Sequence, residues 1–135
     1  MRTMFELILS IKRKCQVNED RIQDELKLSQ AEFNGLIVLD GEDNVPGAEF
    51  AERMGLSASR GSRVLNKLMN NGYVNAEFKP HDRRSISITL TKKGREMKTK
   101  LYNRMQVCED RICSNFDECN IEKIKEALEL LDQVL

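Results

Sequence analysis

The chain has 135 residues, of which 40% are hydrophobic and 33% charged, with equal numbers of acidic and basic side chains. This is enough apolar material for a packed core and argues against disorder; the length suits one compact domain, or a small domain with a helical appendage. No apolar run approaches about 18 residues, and the apolar N-terminus (Met4, Phe5, Leu7, Ile8, Leu9) is interrupted by Glu6 and Lys12-Arg13-Lys14 without a small-residue cleavage site, so neither a membrane span nor a signal peptide is expected and the expected location is the cytoplasm.

Arg2 to about Lys27 reads as one long helix, because Met4, Phe5, Ile8, Ile11, Cys15, Ile22 and Leu26 recur at spacings of three, four or seven. Ser29-Gln-Ala-Glu32 is a capping-box pattern that opens a second helix to about Leu39, with Phe33, Leu36, Ile37 and Leu39 inward. Residues 40–44 (Asp-Gly-Glu-Asp-Asn) read as a turn. Pro46 suits the first turn of a short helix carrying Phe50, Ala51 and Met54 and stopping at Gly55. Ser57 is a good N-cap for the next helix, in which Val64, Leu65, Leu68 and Met69 face inward and Asn71-Gly72 supplies a left-handed stop. Two helices joined by so tight a turn form a helix-turn-helix.

Tyr73–Lys79 and Ser85–Leu90 follow as strands; in the second, Ile86, Ile88 and Leu90 alternate with hydroxyl side chains. The loop Pro80-His81-Asp82-Arg83-Arg84 joins them. Thr91 caps a helix from Lys92 to about Cys113, with Met97, Leu101, Met105, Cys108 and Ile112 along one face. Asn115 to Asn120 breaks it, and a last helix carries Ile121, Ile124, Leu128, Leu131 and Leu135.

The zero net charge hides an asymmetry. Arg53 to Lys93 contains nine Lys/Arg against two acids (Glu77, Asp82), whereas Met105 to Leu135 contains eight acids against three basic residues. One part is suited to nucleic acid and the other stays clear of phosphate. Ser59, Arg60, Arg63, Asn66 and Lys67 lie opposite the apolar stripe of their helix, and no acid occurs between Arg53 and Asn75. Arginine can fork onto guanine and asparagine onto adenine, while serine and lysine more often hold phosphates. Gly61 and Ser62 are small enough for this helix to approach a groove floor. At the loop, Asp82 can brace one arginine while the other, Arg83 or Arg84, projects into a narrow minor groove. His81, the one histidine, fits a phosphate contact or plain exposure there. No nucleophile elbow, phosphate loop or acid–base pair in an apolar setting is present, so no enzyme is expected.

Glu49-Phe50-Ala51-Glu52-Arg53-Met54-Gly55-Leu56-Ser57, then Val64-Leu65-Asn66-Lys67-Leu68-Met69-Asn70-Asn71-Gly72-Tyr73-Val74, then Asp82-Arg83-Arg84-Ser85 and Leu90-Thr91-Lys92-Lys93-Gly94 resemble the MarR family of winged-helix transcriptional regulators. The likeness covers about Ser29 to Leu101 at motif level. It implies an α+β, mainly α fold: a winged helix-turn-helix over 29–94, with helices over 1–28 and 95–135 intertwining in a homodimer. It also implies a double-stranded, palindromic DNA operator, usually repressed, with Ser57, Ser59, Arg60, Arg63, Asn66 and Lys67 on the helix and Arg83 and Arg84 on the wing as contacts. Family members often respond to a small-molecule effector, commonly an aromatic anion. A winged-helix module that binds an acidic protein is the rival reading.

Cys15, Cys108, Cys113 and Cys119 all lie outside the DNA-reading segment. Four thiolates are the complement of an iron–sulfur cluster (4Fe-4S or 2Fe-2S) or of a structural zinc. The spacing Cys108-x4-Cys113-x5-Cys119 lacks the tight pair of zinc sites and leans toward a cluster, with Cys15 joining from its own chain or a partner. A thiol redox switch and simple packing of the thiols remain open beside it.

Overall fold

The computed structural model describes residues 1–39, 44–79 and 82–135; for residues 79 and 82–84 it describes the backbone alone. In chain order it runs α1 (Met4–Leu26), α2 (Gln30–Val38), β1 (Val45–Pro46), α3 (Gly47–Arg53), α4 (Ala58–Asn70), β2 (Val74–Lys79), β3 (Asp82–Leu90), α5 (Lys92–Cys113) and α6 (Glu118–Val134). Residues fall into two compact units, Met1–Leu101 and Tyr102–Leu135, with α5 beginning in the first and ending in the second. None of the described helices is long and apolar enough to cross a membrane.

The helix starts follow local chemistry. Ser29 accepts the Glu32 amide while the Glu32 carboxylate accepts the Ser29 amide, the expected reciprocal box. Thr3 and Glu6 make the same exchange at α1, so that helix starts at Met4 rather than Arg2. The Ser57 hydroxyl accepts the Arg60 amide, and the Thr91 hydroxyl accepts the Gly94 amide. α1 ends with Lys27 in the left-handed region and the Leu28 amide donating back to the Gln23 carbonyl. An amide cluster then joins α1 to α2: Gln16 and Gln23 both donate to the Gln30 side-chain oxygen, at 3.0 and 2.9 Å, and Gln23 is buried.

The sheet is antiparallel in the order β1-β3-β2, with Val45 opposite Ile88 and Val74 opposite Leu90. β1 is an addition to the sequence reading, which expected the short helix to start at once. Instead Pro46 is the N-cap of α3, and Val45 pairs with β3 and is buried. The core of the first unit is built from Phe33, Leu36, Leu39, Val45, Phe50, Leu65, Leu68, Ile88, Leu90 and Leu101. Gly94 lets α5 reach it, because a Cβ there would fall on the Tyr73 carbonyl oxygen. The expected turn at residues 40–44 falls largely outside the described residues; Asn44 alone is seen, with φ 61°.

In the second unit the Asp117 carboxylate caps α6 by accepting the Asn120 amide at 2.8 Å, and Ser114 and Asn115 donate to the Arg111 carbonyl to close α5. No residue of α6 is buried. Phe116, Asn120, Lys123, Ile124 and Ala127 line a shallow hollow of about 400 Å³.

Candidate nucleic-acid interface

α4 sorts its side chains cleanly. Gly61, Val64, Leu65 and Leu68 are buried, while Ser59, Arg60, Ser62, Arg63, Asn66 and Lys67 are exposed. Two details differ from the sequence reading. Gly61 does not face outward; a Cβ there would lie 2.6 Å from the Ala51 Cβ, so its smallness serves the α3–α4 contact. Met69 is 39% exposed. The buried stripe runs through 61, 64, 65 and 68, and residue 69 sits about 100° round from Leu68 at 3.6 residues per turn. The turn before α4 uses Gly55 at φ 68°, with the Leu56 amide bonded to the Ala51 carbonyl at 2.9 Å.

From Ser59 to Lys67 the outward face is cationic and polar, with no acid. Among the described residues no hydrogen bond or ion pair ties down the side chains of Arg60, Arg63 or Lys67. Ser57 and Ser59 stand at the N-terminal end with their hydroxyls 3.3 Å apart. Behind them Arg53 donates to the Val38 carbonyl at 3.0 Å and pairs with Glu49 at 2.7 Å. The wing hairpin continues in register from Val74–Leu90 outward to Phe78–Ile86, with a register shift between Phe78 and Lys79. Pro80 and His81, and the side chains of Asp82, Arg83 and Arg84, lie outside the described residues, so the expected arginine brace does too.

At the C-terminal end of α4 the structure assembles residues that sequence reasoning missed. The Asn71 side-chain amide donates to the second Glu32 carboxylate oxygen at 2.7 Å. The Lys93 ammonium donates to the Asn71 carbonyl at 2.7 Å and lies 4.9 Å from the centre of the Tyr73 ring. The Thr91 hydroxyl donates to the Gly72 carbonyl at 2.6 Å. Burial pushes the Tyr73 phenol above its ordinary value, and the Glu32 carboxylate adds to the rise. Ser29-x-x-Glu32 signalled the cap; nothing local signalled that the other carboxylate oxygen is used elsewhere.

Residues 26–85, from the end of α1 into β3, match the MarR family model. This winged-helix segment is of the MarR family. The chain is 24% identical over 111 residues, 82% of its length and 69% of the relative's, to the HTH-type transcriptional regulator YfiV of Bacillus subtilis. It is 22% identical to the transcriptional repressor MprA of Escherichia coli, over 97% of this chain and 78% of that one. The crystal structure of a MarR transcriptional regulator from Methanosarcina mazei superposes with a TM-score of 0.82 at 22% identity, covering 96% of this chain and 94% of that one. The fold is therefore the winged-helix fold of MarR regulators, mainly helical with a small antiparallel sheet.

The four cysteines are spread over three helices, α1, α5 and α6. Among the described residues no three or more His, Cys, Asp or Glu side chains group so as to hold a metal ion. Cys15 on α1 and Cys119 on α6 are exposed free thiols, and Cys108 and Cys113 on α5 are half-buried free thiols. The physical reason is the continuity of α5: a five-residue step turns about 140° round a helix, so Cys108 and Cys113 point apart. Within one chain these residues do not fit a cluster or a four-thiolate zinc site.

Proposed function

We propose that this chain is a sequence-specific DNA-binding transcriptional regulator that works as a homodimer on a palindromic operator, acting as a repressor. The observation that carries the reading is the outward face of α4, where Arg60, Arg63 and Lys67 stand exposed with no acid among them, beside a hairpin whose tip sequence adds Arg83 and Arg84. Arg60, Arg63 and Asn66 are assigned to base edges, Ser57, Ser59 and Lys67 to phosphates, and the wing arginines to the minor groove. Repression is supported by the likeness to MprA, which is named a repressor.

The homodimer is supported by what the terminal helices leave bare. Phe5, Ile11 and Val17 on α1 and Leu128, Leu130 and Val134 on α6 are exposed. Exposed apolar side chains at helical spacing, such as Met4, Leu7 and Ile11 on one face of α1, are the material of an interface. A two-fold pair would set the two α4 helices about 34–36 Å apart, one turn of the duplex.

The test is selection of a duplex from a randomised pool, followed by gel shifts across a salt series with Arg63→Ala and Lys67→Ala. The reading expects binding that weakens steeply with salt, with Arg63→Ala loosening base preference and Lys67→Ala weakening all duplexes alike. Unchanged affinity in both variants would contradict it.

A further inference from the structure

We propose that Glu32 and Asn71 are positioning residues for operator recognition: their hydrogen bond sets the angle of α4 against α2 from which Arg60 and Arg63 meet the bases. The inference rests on the DNA-binding reading above and extends it.

Along most of its length α4 is held by Val64, Leu65 and Leu68, whose apolar contacts have no direction of their own. The Glu32–Asn71 bond is directional, and it spans 39 residues of chain to join α2 to the cap of α4. Glu32 is 7% exposed, and among the described residues no cation pairs with it. A buried carboxylate in that situation needs donors on its oxygens. One oxygen takes the Ser29 amide at 3.1 Å and the other takes Asn71, so neither partner is free to drift. The same Asn71 is gripped through its carbonyl by Lys93 at the start of α5. The directional bonds of α4 are thus at its C-terminal end, its N-terminal half rests on α3 through the apolar Gly61–Ala51 contact, and Arg60 and Arg63 sit in that N-terminal half.

That arrangement is a lever. Arg60 lies eleven residues from Asn71, about 16 Å along a helix at about 1.5 Å per residue. A tilt of about 5° at the anchored end would carry the Arg60 end by about 1.4 Å, far more than the few tenths of an ångström that a bidentate hydrogen bond tolerates. Non-specific phosphate contacts depend on charge and survive such a shift.

The experiment compares the wild type with Asn71→Asp and with the swap E32Q/N71D, on a duplex selected by the wild type and on a scrambled duplex. Asn71→Asp sets two carboxylates against each other. The swap restores one donor facing one acceptor, keeps an oxygen for the Ser29 amide, and returns the net charge to that of the wild type. Asn71→Asp is expected to weaken binding to the selected duplex by about tenfold or more relative to the scrambled one, with the salt slope and helical circular dichroism unchanged. The swap is expected to regain the wild-type preference to within about threefold. If Asn71→Asp does not fold, Asn71→Ser replaces it and must show the same loss of preference. A folded variant that keeps the full preference, equal losses on both duplexes, or a swap that fails to recover would each overturn the proposal. A wild type that selects no duplex at all would instead overturn the DNA-binding reading.

Discussion

The winged-helix elements and the terminal helices treat apolar side chains in opposite ways. From Leu28 to Leu90 most of the large ones are inside: Leu36, Phe50, Leu68 and Ile88 are almost completely buried, with Met69 and Phe78 the exposed exceptions among the described residues. On the first four turns of α1 and along α6 they are outside, with Phe5 62% and Leu128 51% exposed. Both regions carry helical stripes; the difference is whether the same chain supplies a cover. Burial is worth about 25 cal/mol per Å² of apolar surface, so the winged region collects that stabilisation alone, whereas in the proposed dimer the terminal helices would collect it from a second copy. On the proposed function, one region is a self-contained reading head and the other is half of a joint.

The largest expected effect comes from breaking the joint. Leu128→Glu is expected to give monomers by sedimentation and to lower affinity for a selected duplex by about a hundredfold or more, because the second half-site no longer binds intramolecularly. Helical circular dichroism of the winged region should persist; a variant that stays dimeric would remove the asymmetry. Next comes the reading head itself. Arg63→Ala is expected to cost about 1–3 kcal/mol on the selected duplex and to relax preference at one base position, measured by titration at fixed salt, with no change in dimerisation. Packing behind the head follows. Gly61→Val must push against Ala51 and is expected to cost about 1–3 kcal/mol in urea unfolding, whereas the exposed Ser62→Ala should stay within about 0.5 kcal/mol.

The smallest effect is alkaline. The ordinary phenol value is 10.0, and in the folded chain Tyr73 is raised by burial first and by Glu32 second. The folded state therefore holds a proton that the unfolded state releases, so this contribution to stability is full below about pH 10 and is lost as pH rises through the folded value. Tyr73→Phe should flatten that part of the decline in a pH series of unfolding midpoints, and a series parallel to the wild type would contradict the shift.

The head was more legible in the sequence than the joint, for physical reasons. Ser29, Ser57 and Thr91 announce their helices because a cap is made within three residues, and the alternation of Ile86, Ile88 and Leu90 is equally local. Gly61 was read backwards, because a small residue serves equally at a groove or against a neighbouring helix, and Ala51 decides which. β1 was missed because two residues carry no period. The Glu32–Asn71 bond joins positions that only the tertiary fold brings together. The four cysteines gave a count that suits a donor set, but a count carries no geometry, and the turn of α5 points two of them apart. The apolar stripes of α1 and α6 were found, but periodicity shows that a face is apolar and is silent on what covers it.

The most direct test is the stoichiometry of the chain on a selected duplex, by sedimentation across a salt series. The account predicts two chains per duplex, a palindromic site with half-sites about 10 base pairs apart, and affinity that falls steeply with salt. One chain per duplex, or no salt-sensitive binding to any duplex, would contradict it.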